Sequence, residues 1–149
     1  MKSEPSVYGI LDLEVDRETV WDGVRNYQAR NFLRQMQIGD RAFFYHSNTK
    51  PPGIAGLMTI SATQVVDLTQ FDQASPYFDP KSTQASPRWQ TVMVAFKQIF
   101  PQLLTLNDLK ENFTDAELLI LRRGNRLSVS PVEDGVAEKI LVLGGLGNR

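Results

Sequence analysis

Two tryptophans in this chain stand among groups able to hold a flat, polar ligand. Trp21 leads the run Trp21-Asp22-Gly23-Val24-Arg25-Asn26, and Trp89 follows Arg88. Taken alone, each tryptophan reads as core. An aromatic face beside fixed donors is also what an extruded nucleobase needs: a stack on the ring and hydrogen bonds on its edge. A helix starting near Asn26 adds unpaired N–H groups and a partial positive charge. A phosphate would sit well there, with Arg25 and Arg30 nearby.

Other candidates for chemistry are weaker. Tyr45-His46-Ser47 ends an apolar run. A working nucleophile needs a base oriented by a third group, and neighbours on a strand point to opposite faces. His46 is therefore not aimed at Ser47. No sequence feature pairs Ser128 with a base. The tail Gly-Gly-Leu-Gly-Asn-Arg, residues 144–149, has no strand before it and no helix after it, so it reads as a helix stop and a frayed end, not a phosphate loop.

The elements that must position these residues follow from periodicity. Ala29, Phe32, Leu33 and Met36 make one apolar stripe, which predicts a helix over 27–37 with Asn26 as N-cap. Arg30 and Arg34 lie off that stripe. Residues 41–47 predict a buried strand, 54–67 a long alternating strand and 89–100 a third. Residues 71–88, with prolines at 76, 80 and 87, predict a long irregular loop of the kind that is functional or mobile. Residues 12–18 carry alternating acids and suit a solvated loop or a short helix. The last third reads as helical: 105–113, then 115–123 opened by a Thr114–Glu117 capping box, a short strand over 126–130, and a helix to about Leu143 opened by Ser130–Glu133. Without a regular βαβ rhythm, the class is α+β: a small curved sheet or pseudo-barrel with helices around it.

Composition bounds the rest. A chain of 149 residues suggests one domain, 1–149. It has no cysteine and one histidine, which excludes thiolate zinc, iron–sulfur and multi-histidine metal sites. No cofactor or metal is expected, and no signal peptide or membrane span is visible. A cytoplasmic location is the expectation. The net charge of −1 argues against coating nucleic acid by bulk electrostatics, but not against gripping one nucleotide through a local basic patch.

Several motifs, in order along nearly the whole chain, resemble the EVE domain family: Met1-Lys-Ser-Glu-Pro5, Trp21 to Arg30, Phe44-Tyr-His-Ser-Asn48, Ser75-Pro-Tyr-Phe-Asp79, Pro87-Arg-Trp89 and Arg126-Leu-Ser-Val-Ser-Pro-Val132. Relatives usually carry an aromatic, apolar run before the first motif. Here the chain begins at Met1, so the expected first strand is short or starts upstream. The resemblance implies a PUA-like pseudo-barrel, a curved mixed sheet flanked by helices, similar to YTH and ASCH domains. It also implies a non-catalytic reader of a modified base in DNA or RNA. Carried over by position, the pocket would involve Ser3, Trp21, Arg25, Asn26, Tyr45, His46, Ser47 and, in the long loop, Tyr77. Trp89 matches a family motif, and Lys2 and Arg30 would contact phosphate. Rival expectations are a metal-independent ribonuclease using Lys2, His46 and Arg25, a small-metabolite or nucleotide binder, and a protein-interaction module.

Overall fold

The computed structural model describes residues 1–147; of the predicted tail, Asn148 and Arg149 lie outside the described residues. The elements are β1 (Lys2–Ser3), α1 (Ile10–Asp16), β2 (Glu18–Val20), α2 (Tyr27–Gln35), β3 (Arg41–His46), β4 (Gly53–Val66), β5 (Gln90–Thr105), α3 (Leu106–Asn112) and α4 (Asp134–Leu143). They form an α+β fold around one mixed sheet of order β1-β3-β4-β5-β2. β1 runs parallel to β3 and the other pairs are antiparallel. The sheet does not close, because β1 and β2 are its two edges.

Its curvature comes from the long β4–β5 pair, whose register shifts four times. Each shift leaves extra residues on one strand and bends it. Pro101 lies within one such shift, between the Gly56–Ile99 and Ile54–Leu104 pairs, where the ladder needs no N–H from it. This is why β5 continues to Thr105, past the expected end at residue 100. The strands also approach closely: a Cβ on Gly56 would lie 2.5 Å from the Gln98 carbonyl oxygen.

Alternation along the strands builds two cores. Phe44, Met58, Ile60, Val92 and Val94 face α1 and α2, where Leu13, Ala29 and Leu33 are buried. Tyr45, Leu57 and Phe100 face α3 and α4, meeting Leu109 and Ile140. The Asn26 side chain caps α2 as predicted, accepting from Ala29 N at 3.0 Å. The acidic run forms the short helix α1, held at its start by His46, whose Nε2 accepts the Ile10 N–H at 3.1 Å.

Three local expectations are corrected. No helix forms over 115–123. The Thr114–Glu117 box closes a single turn, and the chain passes into a 3₁₀ turn at Leu119–Leu121. Leu118, Ile120 and Leu121 all join the second core, a spacing that one helical face does not offer. Residues 126–130 form no strand, although Lys2 N donates to the Ser128 carbonyl at 2.8 Å. α4 starts at Asp134, with Glu133 as an N-cap lacking a side-chain bond. Val129 belongs to the first core and Val132 packs on the second, so the chain crosses between them before it can coil.

The long loop is irregular but tied down by Gln70, which is fully buried. Its amide nitrogen donates to the carbonyls of Asp67 and Trp89, and its oxygen accepts from the Ser82 hydroxyl and the Trp89 N–H. All four bonding capacities are used. Gln70→Leu should therefore lower stability by at least about 2 kcal/mol, since buried partners are left unpaired; a shift of the urea midpoint at unchanged slope would show it. Burial pushes the His46 imidazole below its ordinary value, so the unfolded chain takes up a proton first. Stability should fall as pH drops below about 6.5. Urea titrations between pH 8 and 5 should show a shallower fall in His46→Gln.

Candidate functional site

The turn after β2 is built around a buried carboxylate. Trp21 N donates to the Val92 carbonyl at 2.9 Å, and its ring meets Phe44 edge-on at 5.3 Å. Gly23 then takes φ of 85° and donates its N–H to Asp67 Oδ2 at 2.9 Å. Arg25 reaches the same oxygen at 3.0 Å, and Thr69 donates to Asp67 Oδ1 from both N–H and hydroxyl. Burial works to raise the Asp67 carboxyl, but Thr69, the Gly23 N–H and Arg25 together hold it below the usual range. Gly23 is required for space as well as for φ. A Cβ there would lie 2.7 Å from the Tyr77 ring, whose backbone is fixed by Arg25 Nε donating to Tyr77 O at 2.8 Å.

This turn forms one wall of a cavity of about 620 Å³. Lys2 and Ser3 of β1 make a second wall, with Ser47 beside them; Tyr77 closes over Gly23, and Arg126 and Ser128 come from the segment before α4. The Ser3 hydroxyl donates to the Tyr8 carbonyl at 2.6 Å, and Ser47 N donates to Ser3 O at 3.0 Å. Tyr8 turns its own hydroxyl to Asp16, and burial with that bond pushes its pKa up to about 12. Desolvation lowers the Lys2 ammonium. It raises the Asp22 carboxyl, helped by the Asp67 charge. Among the described residues, the side chains of Lys2, Ser47, Ser128 and Arg126 make no hydrogen bond within the protein, and all four residues line the cavity.

Five of the predicted residues thus meet at one cavity: Lys2, Ser3, Trp21, Ser47 and Tyr77. The others stand elsewhere. Arg25 spends its donors on Asp67, Thr69, Tyr77 O and Val24 O. Asn26 caps α2. Tyr45 is buried in the second core, and His46 holds α1. Trp89 is buried, donates its indole N–H to Asp79 at 2.8 Å and stacks on Tyr27 at 4.9 Å. Arg30 lies 4.6 Å from the Tyr27 ring centre, donates to the Arg88 carbonyl, and leaves its Nε buried without a partner. The sequence reading missed Asp67, Tyr8 and Thr19. Asp67 had a signal, a lone acid ending a long strand; Tyr8 and Thr19 had none.

A second cavity, of about 380 Å³, lies between α2 and the start of α4, lined by Phe32, Met36, Phe43 and Ala137, and holds none of the candidate base-contacting residues. Among the described residues, no group of three or more His, Cys, Asp or Glu could hold a metal ion, and no helix is long and apolar enough to cross a membrane.

Comparison with known proteins agrees with this architecture. The EVE domain family model matches residues 1–143. The chain is 41% identical to human thymocyte nuclear protein 1 over 161 aligned residues, covering 96% of this chain and 72% of that protein. A crystal structure of a Pseudomonas putida protein superposes with a TM-score of 0.93 at 46% identity, over 97% of both chains. The crystal structure of the human THYN1 protein in complex with 5-methylcytosine containing DNA superposes with a TM-score of 0.89 at 40% identity, over 97% of this chain and 95% of that one. The α+β, PUA-like expectation holds, and the chain belongs to the EVE domain family.

Proposed function

We propose that this protein is a non-catalytic module that captures a modified base of DNA, 5-methylcytosine or a close relative, in the cavity beside Trp21. The observation that carries this reading is the cavity with its unspent donors, in a chain similar to one solved with 5-methylcytosine DNA. Its volume falls in the ordinary range for small-ligand sites, about 300–1,000 Å³.

The energetics are consistent with capture. Extruding a base costs a few kcal/mol. Stacking on an aromatic ring returns about 1–3 kcal/mol per base, and Tyr77, which lines the cavity, is the aromatic assigned that role. Hydroxyls of Ser47 and Ser128 and the Lys2 ammonium can bond the base edge. Val20 and Val24 provide apolar wall against which a methyl can rest. One methyl in a fitted apolar site is worth about 1–3 kcal/mol, so a preference of about tenfold for the methylated base is reasonable.

The ribonuclease reading needs Lys2, His46 and Arg25 to act together. In the structure His46 Nε2 is engaged by Ile10 and Arg25 by Asp67, so neither is presented to the cavity.

Two outcomes test the reading. Tyr77→Ala should weaken binding of a 5-methylcytosine duplex by about 1–3 kcal/mol, read by fluorescence anisotropy; parent-like affinity in a variant with a normal melting temperature sinks the stacking role. Gly23→Ala should reduce affinity more than stability. Left-handed backbone costs a non-glycine residue only about 1–2 kcal/mol, whereas the added methyl group also displaces the Tyr77 ring. Thermal melting beside the binding curve separates the two effects.

A further inference from the structure

The densest run of positive charge in the sequence lies at the edge of the base site, with only Arg126 of its three arginines in the lining. Arg122, Arg123 and Arg126 fall within five residues, and no Asp or Glu occurs from Leu118 to Ser130. The backbone gathers them. Asn125 N donates to Arg122 O at 3.1 Å, and Gly124 takes φ of 76°. The Asn125 side chain locks the turn, accepting from Leu127 N at 2.8 Å and donating to the Leu119 carbonyl. A turn of this kind brings its first and fourth Cα atoms within about 7 Å, so Arg122, Arg123 and Arg126 start from one short, compact stretch of backbone.

All three arginines are exposed. Among the described residues, the ion pairs are Arg25–Asp67 and Arg41–Glu138, so none of the three is neutralised by a carboxylate. The turn is continuous with the cavity, because Arg126 and Ser128 line it. Another part of the wall, Tyr8 and Thr19, brackets α1 and the acids Asp12, Glu14, Asp16 and Glu18, of which Asp12, Asp16 and Glu18 are exposed. The lining itself carries Glu4 and Asp22 against Lys2 and Arg126, and the arginine turn extends the positive edge outward.

We infer that the turn Arg122–Arg126 is a phosphate clamp that grips the DNA backbone beside a base held in the cavity. This rests on the cavity being the base site. Phosphate contacts position a nucleic acid, while base contacts select it. The turn is an edge of the cavity that carries exposed cations unpaired with any carboxylate, so a strand leaving the cavity gains phosphate contacts by crossing it. An overall charge of −1 does not oppose this, because the clamp acts within about a Debye length, roughly 8–10 Å.

The test is a salt series with two duplexes, one carrying a single 5-methylcytosine and its unmethylated twin, read by fluorescence anisotropy. The double substitution Arg122→Ala with Arg123→Ala should reduce the slope of log affinity against log salt by about 1.8, roughly 0.9 for each phosphate that is no longer neutralised. Both duplexes should weaken by the same factor, leaving the methyl preference intact. Arg122→Lys with Arg123→Lys should restore the slope, because an ammonium still neutralises a phosphate. Arg122→Glu with Arg123→Glu, which adds two negative charges to the two positive ones removed, should weaken both duplexes further than the alanine change. An unchanged slope in the alanine variant at normal melting temperature overturns the clamp while base capture stands. A parent that binds neither duplex overturns both.

Discussion

The Asp67 carboxylate is the constraint on which the site depends. It sits just past the end of β4, almost fully buried, and ties the Gly23–Arg25 turn, more than 40 residues away in sequence, to the start of the long loop, where Thr69 also donates to it. A buried charge is costly unless paired and hydrogen-bonded. Here four donor groups surround it, so the folded state holds it ionised. Its effect extends beyond the pair. Arg25, fixed by Asp67, donates to the Tyr77 carbonyl and so places the ring that closes over Gly23. Losing Arg25 would strip the buried Asp67 carboxylate of its counter-charge and release the Tyr77 carbonyl, and the cavity wall would move with it.

Much of the scaffold was legible in the sequence because its signals are local. The stripe Ala29, Phe32, Leu33 and Met36 and the cap Asn26 define α2 within ten residues of chain. β3 and β4 appear within one or two residues of their expected bounds. The failures came where tertiary packing overrode a local signal. The Thr114–Glu117 box is real, but the run Leu118–Leu121 is consumed by the second core, so no helix follows. The site was legible in part for the same reason. Trp21, Lys2, Ser3, Ser47 and Tyr77 belong to ordered motifs, whereas the role of Arg25 depends on an acid 42 residues away. A conspicuous arginine beside a tryptophan reads as a ligand contact; only its partner reveals it as a brace.

The long loop shows how irregular chain can still be precise. Proline content and length suggest mobility, yet Gln70 spends every bond it has on Asp67, Ser82 and Trp89. Trp89 in turn anchors Asp79, and Arg30 holds the Arg88 carbonyl. The two ends of the loop are thus closed on each other, and Tyr77 hangs between them against the Gly23 turn. An aromatic side chain held this way offers a stacking face with little ordering left to lose on binding.

If the cavity is the base site proposed above, selectivity comes from its edge and not from movement of its walls. Both cores lie on the faces of the sheet, and the cavity lies where the ends of β1 and β2 meet the turn and loop, so filling it needs no repacking of Phe44 or Phe100. What a ligand changes is the state of the unspent polar groups. Lys2 is already partly desolvated, and a ligand that covers it without accepting from it would leave a buried, unpaired ammonium. The same holds for Ser47 and Ser128 to a smaller degree. In the proposed reading, a base edge that accepts from these donors satisfies them, while one that does not forfeits about 1–3 kcal/mol for each group it strands. Discrimination by stranded donors requires walls that cannot follow the ligand, and the Asp67–Arg25–Tyr77 brace supplies that rigidity.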